Sequence, residues 1–309
     1  MTLEQLRIFT AVAEALHFTR AAESLRLSQP AVSAAIAALE AEHGLRLFDR
    51  IGRRVELTAA GALLRTEARA ILRKVEQAGA MLAEISGLAR GTLRLVASQT
   101  VGNHWLPPRL ARFATAFPGI RIDLSIGNSE DVAEAVRDGR AELGIAEGAV
   151  SDPALMSDRV PGDRLVLAVG RGHPWAGRGT VVPADLAAAR WILREPGSGT
   201  RALFEQAVRA AGLDPAALTV AMTLPGGSVI RHALMAGLGV SVLSDLVLAE
   251  ELRDGRIVAL GGLDLPERDF HLVRHRDRHR SAAEREFLRL ALPGDWEQDF
   301  VLDVPGRES

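Results

Sequence analysis

The sequence predicts an α/β protein with an α-rich head, and three observations carry that reading. Apolar residues at helical spacing dominate residues 1–44. One continuous polar–apolar pattern with a heptad seam then runs from Thr58 to about residue 87. From residue 91 onward, short apolar runs alternate with amphipathic ones in two successive series, the pattern of parallel sheets with helical crossovers. A chain of 309 residues can hold several units, each with a core of its own.

In the head, Leu3, Leu6, Phe9, Val12, Ala13 and Leu16 predict a first helix. Thr19 is the expected cap of a short second helix bearing Ala21, Ala22 and Leu25. After a tight turn over residues 26–28, Ser28 and Pro30 open a third helix, as a capping hydroxyl and an early proline do. Val32, Ile36 and Leu39 form its apolar stripe and Gly44 ends it. Two short helices on so brief a turn, the second with a polar start, read as helix-turn-helix. Leu45, Leu47, Val55 and Leu57 then alternate around a turn carrying Arg50, Arg53 and Arg54. That is a hairpin, or wing, whose arginines suit phosphates or a minor groove. Helix pair, polar helix start and basic wing together predict binding to double-stranded DNA.

Thr58 is the expected cap of a long helix. Leu64, Ala68, Ile71, Val75, Ala78, Leu82 and Ile85 lie at alternating spacings of 4 and 3, an a/d seam over three repeats. A dimerising rod would place two heads on successive turns of one DNA face.

The last two-thirds reads as a clamp. Strand-like runs over 92–98, 120–127 and 141–148 alternate with helical ones, and a second series begins near Gly162. Residues 269–276 read as a strand that returns to the first lobe. The expected organisation is a head over 1–58, a linker helix over 59–90 and a tail over 293–309 with no assignable role. Lobe I takes 91–161 plus 267–292, and lobe II takes 162–266. Ligands in such sheets sit outside the C-terminal strand ends. Five turns stand there: Ser98-Gln99-Thr100, Asn128-Ser129, Glu147-Gly148, the turn holding Ser198 and Thr200, and the turn holding Ser228. Four of them offer hydroxyls, amides and free backbone N–H groups at helix starts, which is how proteins hold small anions.

Composition removes several classes. With no cysteine there is no disulfide framework, thiolate nucleophile or zinc–thiolate site. Lys74 is the only lysine and sits in the long helix, away from any glycine-rich turn, which disfavours both a Walker A loop and Schiff-base chemistry. Gly197, Gly199 and Ala202 do satisfy a G-x-G-x-x-A pattern, the one feature favouring a dinucleotide-dependent oxidoreductase. That fold also wants an acid at the end of the next strand, and the residues there are Thr223 and Leu224. No nucleophile–base–orienter set is evident, so neither an enzyme nor a cofactor is expected. His271, His275 and His279 lack the acids or cysteines that zinc favours, and Trp105, Trp175 and Trp191 read as packing residues. No basic-then-apolar leader and no apolar run of roughly 20 residues is visible, so a cytoplasmic protein off the membrane is expected.

The stretches from Phe18 to Glu40 and from Leu47 to Gly61 resemble the winged helix-turn-helix of LysR-type transcriptional regulators. Residues 97–107, 127–148, 191–201 and 236–244 resemble that family's effector-binding domain, most of all in the branch controlling sulfur assimilation and carbon fixation. The resemblance implies a type-II periplasmic-binding-protein fold for the second part and a tetramer built on a linker-helix dimer. It implies that Gln29, Pro30 and Ser33 face the major groove while Arg53 or Arg54 reaches the minor groove, with Thr19, Ser28 and Arg50 in the same interface. It also implies an effector, a sulfur oxyanion or small anionic metabolite, between Ser98, Gln99, Thr100, Asn128 or Ser129 and Ser198 and Thr200. Glu147 would repel an anion there, and pairing with Arg201 is the expected remedy. The family usually carries long polar side chains after Ser33, where Ala34 and Ala35 stand here. Alanine makes no bidentate base contact, so readout is expected to lean on DNA shape.

Overall fold

Capping chemistry delimits the head's helices. Thr2 and Gln5 exchange side chain and backbone bonds at the start of α1 (Leu3–Ala15). The short α2 (Phe18–Leu25) follows, and Ser28 accepts from the Ala31 N–H to open α3 (Gln29–His43), which Gly44 ends. The hairpin β1 (Phe48–Ile51) and β2 (Arg54–Leu57) pairs antiparallel, Phe48 opposite Leu57. Glu40 ties the hairpin to α3 by accepting from the Leu47 and Phe48 N–H groups at 2.7 and 3.3 Å. Thr58 caps α4 (Ala59–Ile85), its hydroxyl accepting from the Gly61 N–H at 3.0 Å. Phe9, Val12, Val32, Ile36, Leu39 and Phe48 form the head core, with Ala68 of α4 buried against it.

The structure is a computed structural model and describes residues 1–51, 54–85 and 91–292. The chain divides into two compact units, Met1–Leu88 and Ala89–Ser309.

The second unit begins with β3 (Gly91–Ser98), a π-helical turn over Val101–Trp105 and α5 (Pro107–Ala116). Then come β4 (Ile120–Gly127), α6 (Ser129–Arg137), β5 (Leu143–Ala146) and the long β6 (Leu155–Gly170). A second series follows: α7 (Pro183–Ala188), β7 (Arg190–Arg194), α8 (Gly199–Ala210), β8 (Thr219–Leu224), α9 (Gly227–Met235) and β9 (Val240–Ser244). It closes with α10 (Asp245–Arg253), β10 (Ile257–Leu260), β11 (Glu267–His275) and α11 (Ala282–Ala291). The strand order is β4-β3-β5-β11-β6-β9-β7-β8, with β10 beside β6. β3 pairs parallel with β4 and β5, and β7 parallel with β8 and β9, the signature of helical crossovers. Long β6 and β11 run antiparallel between the two parallel groups and so belong to both lobes. Each lobe has its own core, one around Leu95, Phe113, Ile145, Phe270 and Phe287, the other around Leu167, Trp191, Phe204 and Val240. All three tryptophans named above are buried in these cores.

Candidate functional site

Because β3, β4 and β5 are parallel, the loops after Ser98, Gly127 and Ala146 emerge at one sheet edge. Those after β7 and β8 emerge together in the other lobe. The two sets meet. Asn128 Nδ2 donates to the Pro196 carbonyl at 3.4 Å, and Thr200 Oγ1 donates to Glu147 Oε2 at 2.8 Å. Gly197 adopts a left-handed φ of 82°, which a side chain would strain. At Gly199 an added Cβ would stand 3.1 Å from Glu147, so the glycines let the turn lie against the opposite lobe. Thr100, Asn128, Glu147, Ser198 and Thr200 thus come to one place.

Glu147 is 1% exposed and holds the centre. It accepts from the Thr100 N–H at 2.7 Å, from Thr200, and from Arg268 Nη1 at 3.0 Å. Burial pushes its pKa up, but Arg268, Arg194 and the Thr100 bonds outweigh burial and hold it at about 2. Arg268, on β11, also grips Asp163 of β6 through Nε at 2.7 Å and Nη2 at 2.5 Å. This corrects the expected Glu147–Arg201 pair: Arg201 bonds Glu205 at 2.9 Å and the Arg194 carbonyl at 3.1 Å. Arg268 and Asp163 escaped sequence reading. Nothing in the sequence singles them out, since each strand carries several other charged residues.

Other donors at the site have no partner. The hydroxyls of Ser98, Ser129 and Ser198 are buried without a hydrogen bond, Ser98 being 1% and Ser198 3% exposed. Ser198 stands at the N-cap of α8 yet makes no capping bond, and the first-turn N–H groups of a helix have no acceptor within it. At the neighbouring helix starts the chain supplies its own acceptor. Asn128 and Asp131 form a capping box on α6. Glu195, held by Arg194 through two bonds of 2.8 Å, is the carboxylate near the Gly226 N–H before α9. Burial pushes the Glu195 pKa up, but those donors outweigh it and keep the pKa below the ordinary range. Ser228 lies in the first turn of α9, and its carbonyl bonds His232. Gln99 faces Gly226 across the cleft and accepts from Asn103 through its carbonyl at 2.8 Å. A cavity of about 990 Å³, within the range of small-molecule sites, opens between α6, residues 148–152 and α8; Ser129 and Ser198 line it, whereas Ser98, Gln99, Thr100, Thr200 and Ser228 do not.

In the head, His17 and not Thr19 caps α2, its Nδ1 accepting from the Arg20 N–H at 3.4 Å. Thr19 lies exposed in the first turn. Gln29, Pro30 and Ser28 are exposed and Ser33 half-buried, with Gln29 Nε2 donating to Ser33 Oγ at 2.8 Å. Arg50 and Arg54 sit on the paired wing strands, and Arg53 lies outside the described residues. Along α4, Leu64 packs on the head core, while Ile71 and Val75 are 38% and 46% exposed. The seam positions Leu82 and Ile85 have backbone in α4, but their side chains lie outside the described ones.

Among the described residues no cluster of histidines and acids could hold a metal; His271 Nδ1 instead meets Ser157 Oγ at 2.9 Å. No described helix is long and apolar enough to cross a membrane. β8, next after the glycine turn, ends on Leu224 without the acid a dinucleotide ribose needs.

A helix-turn-helix head with a basic hairpin, joined to a two-lobed domain with a polar interlobe cleft, defines a DNA-binding regulator with a ligand-binding part. Comparison with known proteins agrees. Residues 3–62 match the bacterial regulatory helix-turn-helix protein model of the lysR family, and residues 86–294 match the LysR substrate binding domain. The chain belongs to the LysR family of DNA-binding transcriptional regulators and is not an enzyme. It is 39% identical over 300 residues to the HTH-type transcriptional regulator YeiE of Escherichia coli K12, covering 96% of this chain and 98% of that one. It is 35% identical to CysL of Bacillus subtilis, over 82% of this chain and 83% of that one. CbbR of Rhodospirillum rubrum is 34% identical, over 90% of this chain and 91% of that one. These likenesses place the chain near the sulfur and carbon-fixation regulators. Among solved structures, full-length CbnR with its target DNA superposes with a TM-score of 0.68 at 26% identity, over 94% of this chain and 99% of that one. The second unit accordingly has the type-II periplasmic-binding-protein fold.

Proposed function

We propose that the protein is an effector-responsive regulator of promoter DNA whose ligand is a small anion, a sulfur oxyanion or small anionic metabolite, held in the interlobe cleft. One observation carries the reading: Ser98 and Ser198 present buried, unpartnered hydroxyls at the cleft, the second at the uncapped start of α8. A buried hydroxyl without a partner costs about 1–3 kcal/mol, so a ligand that satisfies both has a ready source of affinity. The helix N-terminus favours a negative ligand.

Glu147 makes the binding a switch. Its carboxylate ties Thr100 of lobe I to Thr200 of lobe II. An anion arriving beside it is repelled until the carboxylate turns away. The ligand therefore has different affinities for the tied and untied arrangements, which is the condition for shifting between them. The exposed Ile71 and Val75 of α4 support a dimer through the linker helix, with a tetramer as the assembled form. Lobe movement then changes the spacing of the winged heads on DNA, and the site of action is the cytoplasm, where promoter DNA is.

The test is a fluorescence-anisotropy titration of the full chain with DNA upstream of its own gene, with and without sulfite, sulfate, phosphate or short carboxylates. Salt-dependent binding altered by one of these anions is the expected result. Binding that no anion alters in affinity or DNA bending would sink the effector reading.

A further inference from the structure

The cavity between α6, residues 148–152 and α8 has two walls of different charge. Of the two serines proposed to hold an anion, Ser198 lines it and Ser98 does not. On the lobe I wall, the described residues set Glu130, Asp131, Glu134 and Asp152 against Arg137 alone. Arg137 is already paired, meeting Asp152 at 3.3 Å. Asp131 and Glu134 have donors from the chain, the Asn128 N–H at 2.8 Å and Arg140 at 3.1 Å. Glu130 is exposed and makes no ion pair among the described residues. The excess of negative charge on this wall therefore centres on Glu130.

The lobe II wall is the opposite case. Arg201 and Glu205 cancel as a pair at 2.9 Å, and what remains is the uncapped start of α8. Its first-turn N–H groups favour a negative ligand. Ser198 there is 3% exposed with an unpartnered hydroxyl, and Ser129 on the facing wall also buries an unpartnered Oγ. The walls meet at Glu130: a Cβ added to Gly197, the residue before Ser198, would stand 2.7 Å from Glu130 Oε2. A carboxylate without a cation thus sits beside a helix start without an anion. An inorganic oxyanion would satisfy Ser198 but leave Glu130 unpaired and most of the 990 Å³ empty.

We propose that the cavity takes an α-amino acid, its carboxylate on Ser198 and the start of α8, its ammonium group against Glu130. Only a ligand with both charges on neighbouring atoms satisfies both walls at once, and its side chain has the rest of the cavity to fill. Because it touches α6 of one lobe and α8 of the other, such a ligand also bridges the lobes. The inference rests on the anion reading of Ser198 and narrows it from any small anion to one that carries an ammonium group.

The full chain, free of DNA, is titrated by calorimetry with the common L-amino acids, and the tightest is compared with the same acid lacking its amino group. Saturable binding is expected, about tenfold weaker for the deaminated acid. Glu130→Gln, melting at the wild-type temperature, should weaken the amino acid by a similar factor and leave sulfate, sulfite and phosphate bound as well as before or better. Equal affinity for the deaminated acid, or a Glu130→Gln chain that holds the amino acid as tightly as wild type, would overturn the proposal. Binding of an inorganic anion but of no amino acid would also overturn it and leave the anion reading standing. Binding of neither would overturn both.

Discussion

The two ends of the lobe I strand β5 treat a buried carboxylate in opposite ways. At the cleft end, Glu147 is surrounded by donors and its pKa is held at about 2. At the far end, Ser281 donates to Glu142, which precedes β5, and the same turn starts α11 with Glu284 in its first turn. Glu284 is 3% exposed, with Oε1 lacking any partner, and burial together with the Glu142 charge outweighs the nearby arginines and raises its pKa to about 7. Similar burial gives opposite ionisation, so burial does not decide the charge. Donor supply does. The cleft end supplies the donors that keep Glu147 ionised, and the hydroxyls of Ser98, Ser129 and Ser198 there have no partner.

The largest expected effect breaks the cleft end. Arg268→Met leaves Glu147 and Asp163 buried without their cation and should cost about 3–5 kcal/mol, read from urea unfolding of the full chain. Adding Glu147→Gln and Asp163→Asn should recover part of the loss. An Arg268→Met chain as stable as wild type would show that the network contributes little.

Next comes the contrast between the two ends, whose carboxylates predict opposite pH arms. Glu147, depressed from 4.5 to about 2, contributes stability above its unfolded value that is lost as pH falls toward about 2. Glu284, raised from 4.5 to about 7, contributes stability below its unfolded value that is lost as pH rises through about 7. Thermal unfolding between pH 5 and 8 should therefore show a decline, on the order of 3 kcal/mol, that Glu284→Gln flattens. An unchanged slope in that variant would assign the decline to other groups.

A smaller contrast separates engaged from idle hydroxyls. Thr200 donates to Glu147 and accepts from Arg268 at 2.9 Å, so Thr200→Val should cost about 1–3 kcal/mol. Ser198→Ala removes a hydroxyl with no partner and should leave stability unchanged or slightly higher. Both Thr200→Val and Thr100→Val should weaken the effector response while leaving basal DNA binding in place. Loss of DNA binding in both would mark these threonines as structural alone.

Much of this comparison was legible in the sequence, because caps and strand ends are local. Ser28, Thr58 and Asn128 announce helix starts, and the alternation of runs announces the crossovers that bring strand ends together. What escaped is long-range or depends on helix phase. Arg268 and Asp163 lie 105 residues apart and meet only because β6 and β11 cross side by side. Arg201 follows Thr200 in sequence, but one helical step turns it to another face, where Glu205 waits a turn away. His17 displaced Thr19 as a cap because an imidazole nitrogen can also accept an N–H. The idle state of Ser98 and Ser198 is a property of their surroundings, and no spacing rule reports it.

The central claim is that those idle hydroxyls form an anion site at the start of α8. The direct measurement is a calorimetric titration of the full chain with sulfite, sulfate and phosphate, alongside the Ser98→Ala/Ser198→Ala double variant. Saturable binding of one anion to the wild type is predicted, weakened at least tenfold in a double variant that melts at the same temperature and still binds DNA. Undiminished binding in the double variant, or no binding to the wild type by any of the three, would contradict it.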